Sequence, residues 1–329
     1  MTSVEDELFF SVIIPTRNRI KLFKKALDSV LAQSFTNFEI IVVNDGSDAP
    51  SLEEYKQLEK NTPSNVKFRY QVKRPNGHGQ SYSMNTGALV GKGKYLCFLD
   101  DDDEWIDKEH LTRAHKSIRE SVKEVDAYYT NQKAAYVDGV VKEGPIWLDD
   151  LPEQLINKPT DSQGSINISI EELLRSHGFA HLNCSIVRRE LYLEIKGMDE
   201  NIRWECDRDL YLRTLDSAQT LLYNPSYIAL HLIPDTSKKE NMTTMVNMLE
   251  KRLYQVTVYQ KGTLLSKRKA VRSYCRASLG FIFQHITHEL LSTNRTKEAA
   301  VYASKALACR FSIKWFIRTY WLKIKAMLS

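Results

Sequence analysis

Short apolar runs alternate with helix-period patterns through the first hundred residues. Residues 9–15 (FFSVIIP) are β-branched and apolar without alternation, and Pro15 closes them, as expected of a buried parallel strand. The next apolar positions, Leu22, Ala26, Leu27, Val30 and Leu31, fall on one face of a helix. Residues 38–43 (FEIIVV) predict a second strand, 53–60 a surface helix, 66–70 (VKFRY) a third strand, and 82–89 another helix. Strand and helix alternating with short connections predict a parallel sheet wound by right-handed crossovers.

A fourth apolar run, 95–99 (YLCFL), ends in Asp100, Asp101, Asp102 and Asp103. Four adjacent carboxylates resist burial, so water or a hard divalent cation with a preference for oxygen ligands has to compensate them. Ligands of wound parallel sheets collect beyond the carboxyl ends of the strands. Thr16 and Arg17, Asp45 and the four aspartates all follow strands, and so are expected to line one crevice. No Gly-x-Gly-x-x-Gly follows the first strand, which argues against a dehydrogenase.

Beyond residue 125 the pattern is mixed. Residues 126–131 (DAYYTN) end a strand, 136–170 form an irregular loop with a short hairpin, 170–174 a short helix, and 183–189 (NCSIVRR) a strand. From 245 onward the chain is helical, with no proline and no glycine after Gly280. This sets an expected boundary between a domain of residues 1–235 and a helical region of residues 236–329.

Composition adds two constraints. The five cysteines (Cys97, Cys184, Cys206, Cys275, Cys309) are odd in number and lack Cys-x-x-Cys spacing, which points to a reducing compartment and away from disulfide or zinc frameworks. The acidic first seven residues do not form a signal peptide, and no stretch nears the roughly 20 apolar residues of a spanning helix. These features predict a cytoplasmic protein. The net charge of +5 is uneven: residues 251–329 hold 16 Lys and Arg against Glu289 and Glu298, a net of +14, leaving −9 on residues 1–250. Residues 311–325 (FSIKWFIRTYWLKIK) interleave aromatics with cations, the composition of an interfacial helix drawn to anionic lipid. The expected association is therefore peripheral, at the inner face of the membrane, and not with nucleic acid.

Three blocks, 11–19 (SVIIPTRNR), 39–47 (EIIVVNDGS) and 98–103 (FLDDDD), occur in order and at a spacing that resembles the family-two glycosyltransferases, inverting enzymes of the GT-A fold. Asn76-Gly77 and Asn85-x-Gly87 resemble that family's third-strand loop and following helix, and the likeness spans roughly residues 9–235. Residues 197–200 (GMDE) and 204–213 (WECDRDLYLR) are similar to its later Gly-Phe-Asp-Glu and Glu-Asp-x-Asp-Leu segments, with Cys206 in place of the usual Glu.

The resemblance implies an α/β GT-A (Rossmann-like) fold, a mostly parallel sheet flanked by helices, with a smaller helical C-terminal region. It also implies a hexosyltransferase-type enzyme that moves sugar from a nucleotide-diphosphate donor, a UDP-sugar first, to a glycan or lipid-linked acceptor in surface polysaccharide or lipopolysaccharide synthesis. Asp207 is then the general base, with Asp209 as its rival two positions on. Mn²⁺ or Mg²⁺ is held by Asp102 directly, by Asp100 through water or the ribose, and by His231. Asp101 belongs to the same donor site. Asp45 accepts from the uracil imide, Pro15, Thr16 and Arg17 wrap base and ribose, and Arg74 and Asn76 face base or phosphate. Two other readings remain. A nucleotidyltransferase would carry a Gly-rich loop with lysine after the first strand, and none is present; a catalytically inactive nucleotide- or sugar-binding module has no use for the carboxylates at Asp100, Asp102 and Asp207.

Overall fold

The computed structural model describes residues 8–144, 146–234 and 242–328. The acidic first seven residues and the expected 235/236 boundary lie outside these. The chain falls into two compact units, Met1–Asn201 with Ser217–Asp235, and Ile202–Asp216 with Thr236–Ser329.

The first unit is built on a sheet whose strands are β1 (Phe10–Thr16), β2 (Phe38–Asn44), β3 (Val66–Tyr70), β4 (Tyr95–Phe98), β5 (Glu104–Trp105), β6 (Ala127–Ala135), β7 (Ile166–Asn167), β8 (Ser185–Arg188) and β9 (Leu221–Leu232). Their order is β3-β2-β1-β4-β8-β6-β9-β5, with β7 also on β9. β3, β2, β1 and β4 are parallel, β8 runs antiparallel to both β4 and β6, and β6 and β9 are parallel again. The sheet is thus mostly parallel but mixed. β1 and β2 are buried along their whole length, which is why they carry unbroken apolar runs instead of alternation.

Helices Ile20–Leu31, Ala49–Glu59, Gln80–Val90 and His110–Glu120 connect the strands. On the first of them Phe23, not Leu22, joins Ala26, Leu27 and Val30 in the core, because the buried stripe is one residue out of phase with the face expected from aliphatic residues alone. Residues 126–131 begin a strand rather than end one: β6 continues through Gln132 and Lys133 to Ala135. Residues 136–144 turn back on themselves, with Tyr136 N–H bonded to Val140 O and Gly139 N–H to Tyr136 O. The 170–173 helix is fixed by a reciprocal cap between Ser169 and Glu172.

The second unit contains the Cys206–Asp216 part of the Cys206–Ser217 helix together with four long helices, Met248–Leu265, Lys269–Ser292, Thr296–Cys309 and Ile313–Leu328. Each long helix packs on the next in sequence. None of the helices among the described residues is long and apolar enough to cross a membrane. All five cysteines are free thiols.

Candidate active site

The loops that leave the carboxyl ends of β1, β2, β3 and β4 are tied to one another by side chains that the strands deliver there. Asn18, held at φ +56°, accepts Asp48 N–H at 2.8 Å and donates its own N–H to Ser47 Oγ at 3.0 Å. Arg17 Nη2 donates to the carbonyls of Arg74 and Pro75 at 3.1 and 3.0 Å. Buried Asp45 accepts the backbone N–H groups of His78 and Gly79 at 2.8 and 2.9 Å. Gly77 fits between them only because it has no side chain: a Cβ would lie 2.4 Å from Asp45 Oδ2 and 3.3 Å from Arg17 Cδ. Pro15, Thr16, Arg17, Asp45 and the 74–80 loop are thus brought together. Pro15 is buried opposite Val43, and Thr16 Oγ1 meets Tyr55 OH at 2.6 Å. Arg74 and Asn76 are exposed.

The four aspartates divide their work, since consecutive side chains leave a strand end in different directions. Arg19 forms ion pairs with Asp101 and with Asp102, the latter at 2.8 Å. Asp101 is buried, and burial, offset in part by the Arg19 charge, raises its carboxyl to about 7. Asp102 remains 22% exposed. Asp100 accepts from Gln80 Nε2, and its own N–H donates to Asn183 Oδ1 at 3.0 Å. Burial, followed by the charges of Asp103 and Asp102, pushes the Asp100 carboxyl well above the usual range.

Asp103 is fully buried and fully satisfied. Its Oδ2 accepts from Asn183 Nδ2 at 2.6 Å and pairs with His231 Nδ1 at 2.8 Å, and its Oδ1 accepts Leu232 N–H at 2.8 Å. Burial opposes its charge, but the His231 bond and the charges of His231 and His181 outweigh that and hold it below the ordinary value. His231 moves the other way: burial lowers it, and the Asp103 hydrogen bond more than compensates. A carboxylate on one imidazole nitrogen fixes the tautomer and aims the other nitrogen, as around many metal-ligating histidines. Asp100, Asp103 and His181 each offer an atom within 4.8 Å of the others. His181, part-buried and facing His231 with ring centroids 5.3 Å apart, is lowered to about 4 by desolvation and the His231 charge and so stays neutral. Trp147 stands edge-on to both rings, with centroids 5.8 Å from His181 and 5.4 Å from His231.

Oxygen donors with one or two imidazoles suit a hard or borderline divalent ion such as Mn²⁺ or Mg²⁺. Sequence reasoning missed Arg19, Gln80, Trp147, His181 and Asn183. None of them has a spacing signal; they come from four separate stretches, His181 and Asn183 sharing one turn, and only the fold joins them to the aspartates.

Asp207 lies in the second unit, in the first turn of the Cys206–Ser217 helix, half-buried, with its Oδ1 accepting the Arg208 N–H at 2.8 Å. Asp209 is buried between Arg213 and Lys261, at 2.8 and 2.9 Å. Glu205, next to Cys206, is bound by Arg208 and by Gln255 at 3.0 Å.

Residues 11–191 match the family model described as Glycosyl transferase family 2. The chain belongs to that family. Its fold is of the GT-A type, and its matches span less than two thirds of the length of the first curated relatives. The amylovoran biosynthesis glycosyltransferase AmsB of Erwinia amylovora is 29% identical over 208 residues, 63% of this chain and 64% of AmsB. Glycosyltransferase GlyA of Streptococcus pneumoniae is 35% identical over 117 residues, 36% of this chain, and the match spans only 16% of GlyA. Among solved structures, S. aureus TarS 1-349 in complex with UDP-GlcNAc aligns with TM-score 0.67 at 17% identity over 97% of this chain and 88% of that one. The mannosyltransferase PcManGT of Pyrobaculum calidifontis, in complex with GDP-Man and Mn²⁺, aligns with TM-score 0.60 at 15% identity, covering 97% and 80%.

Proposed function

We propose that this glycosyltransferase moves a sugar from a nucleoside diphosphate donor, a UDP-sugar first, to a hydroxyl of a glycan or lipid-linked saccharide, with a divalent cation and with inversion. The observation that carries the reading is the carboxylate and imidazole cluster at the end of β4, beside loops from β1, β2 and β3 that are already locked together. Asp102, next in sequence to that cluster and 22% exposed, and Asp100 would hold Mn²⁺ or Mg²⁺ with His231, while buried Asp103 aims the imidazole. When bound, the cation offsets the negative charge gathering on the departing diphosphate.

The remaining steps belong to the chain's own groups. Asp45 still has lone pairs beyond those used by His78 and Gly79, so it can accept from a base N–H as well as brace its loop. Asp101 and Thr16 line the same donor side. Asp207 takes the proton of the acceptor hydroxyl, the new oxygen–carbon bond forms at the anomeric centre, and the bond to the phosphate oxygen breaks on the opposite face. Asp209 is already engaged by Arg213 and Lys261, which leaves Asp207 as the candidate.

A screen of nucleotide sugars for donor hydrolysis and thermal stabilisation, with and without Mn²⁺, tests this reading. UDP at about 100 times its Kd should add about 2.7 kcal/mol of stability, and only with the metal present. Indifference to every nucleotide, with and without metal, rejects it.

A further inference from the structure

The last helix, Ile313–Leu328, has two unlike faces. Trp315, Thr319 and Leu322 are buried, and Trp315 Nε1 and Thr319 Oγ1 both donate to Ala303 O, at 3.1 and 3.3 Å. That face is spent on the preceding helix, Thr296–Cys309. The opposite face carries Phe316, Ile317, Tyr320, Trp321, Ile324 and Met327, all exposed, with Trp321 at 56%, Ile324 at 59% and Met327 at 84%. At 100° per residue these form one continuous stripe about 140° wide. A soluble surface seldom leaves so long an apolar row uncovered.

Charge decides what covers it. Lys314, Arg318 and Lys325 lie along one border of the stripe and Lys323 along the other, and no acidic residue follows Glu298. Lys323 Nζ sits 5.3 Å from the Tyr320 ring and Lys325 Nζ 5.3 Å from the Trp321 ring, so the cationic ends stand beside the aromatic rims. A second copy of the helix laid against the stripe would bring like charges together on both borders. A nucleic acid could use the cations but gains nothing from Ile317, Ile324 and Met327. An anionic bilayer satisfies both sets at once: acyl chains take the stripe, and lipid phosphates take the cations.

We propose that Ile313–Leu328 docks flat on a membrane surface rich in anionic lipid and so holds the enzyme beside it. The inference goes beyond the donor reading and does not depend on it. Full-length protein is sedimented with vesicles of phosphatidylcholine alone and of phosphatidylcholine with about one third phosphatidylglycerol. Binding at least about tenfold stronger to the anionic vesicles is expected, weakening with salt and accompanied by a blue shift of Trp321 emission. The double variant Trp321→Ser, Ile324→Ser should lose about tenfold, and Lys323→Glu, Lys325→Glu should abolish the preference for phosphatidylglycerol, while donor hydrolysis and Tm stay unchanged. No binding to either vesicle, or equal binding by the folded variants, overturns the proposal. Self-association that the serine variants disperse overturns it too, since the stripe would then be covered by a second copy.

Discussion

Asn183 holds Asp103 and Asp100 in one grip: Nδ2 donates to Asp103 Oδ2 at 2.6 Å while Oδ1 receives the Asp100 N–H at 3.0 Å. The same amide nitrogen reaches Gln132 Oε1 at 3.1 Å on β6. Asn183 sits just before β8, the strand that lies between β4 and β6, so one side chain sets the spacing of the acidic turn against its neighbours.

Removing that grip should loosen the site before it unfolds the protein. Asn183→Ala leaves Asp103 short of one donor and Gln132 short of another, at a cost of about 1–3 kcal/mol. Outer-shell losses of this kind weaken metal binding by about 10–100-fold. Titration calorimetry with Mn²⁺ should register that loss alongside a modest fall in the urea midpoint. An unchanged Mn²⁺ affinity would show that Asn183 serves the fold alone.

Asp102 and Asp103 can be told apart because their surroundings differ. Asp102→Asn removes a charge that is 22% exposed and shared with Arg19, so stability should move by less than about 1 kcal/mol while Mn²⁺-dependent activity falls by two orders of magnitude or more. Asp103→Asn strips a fully buried partner from His231 and should cost about 3–5 kcal/mol of stability. Denaturation curves and Mn²⁺ titrations of both variants separate the roles. Full Mn²⁺ binding by Asp102→Asn would move the ligand role to the Asp100, Asp103 and His181 group.

The parts of this arrangement that the sequence announces are those governed by local pattern. β1 and β2 are nearly unbroken apolar runs and β3 alternates apolar residues with Lys67 and Arg69, and all three form at the expected positions. β6 is less legible because Gln132 and Lys133 read as polar loop, yet Gln132 is buried with Asn183 as its partner. The same limit applies to the site. Asp100–Asp103 and Asp45 stand out as carboxylates after strands, whereas Arg19, His181 and Asn183 look ordinary until the fold sets them against those carboxylates.

Trp147 depends on a glycine it does not touch in sequence. Its backbone is left-handed at φ +53°, and a Cβ on Gly178 would lie 2.0 Å from Trp147 O. Gly178→Ala must therefore displace the Trp147 segment, costing about 1–3 kcal/mol and uncovering His181 and His231. Donor hydrolysis should fall further in Gly178→Ala than in Trp147→Phe, which keeps an aromatic edge against the imidazoles. Wild-type stability and activity in the alanine variant would count against this packing account.

His110 supplies an acid-sensitive element away from the site. It is fully buried, neither ring nitrogen has a hydrogen-bond partner among the described residues, and its ring meets Trp105 edge-on at 4.9 Å. Burial, with the nearby Arg113 charge, lowers its pKa to about 3. The unfolded chain binds this proton near pH 6.5 and the folded one does not, so stability falls as pH drops from about 6.5 toward 3, by up to about 1.4 kcal/mol per pH unit. His110→Phe keeps a ring and removes the proton site, so its denaturation midpoint should fall less steeply between pH 6 and 4, both pH values being rough bounds on the window. Parallel acid limbs in the two proteins would assign the loss to other groups.

Asp207 and Asp209 share one helical turn but should respond in opposite ways to loss of charge. Asp209 lies between Arg213 and Lys261, so Asp209→Asn leaves two cations facing a neutral amide and should cost about 3–5 kcal/mol in stability. Asp207 is half-buried at the helix N-terminus, where a neutral amide loses only about 0.3–1 kcal/mol of favourable dipole interaction. If Asp207 receives the acceptor proton, Asp207→Asn should lower kcat for transfer by about 10²–10⁴ while nucleotide binding, read by thermal shift, stays at the wild-type level. Near-normal transfer by Asp207→Asn would remove it as the base.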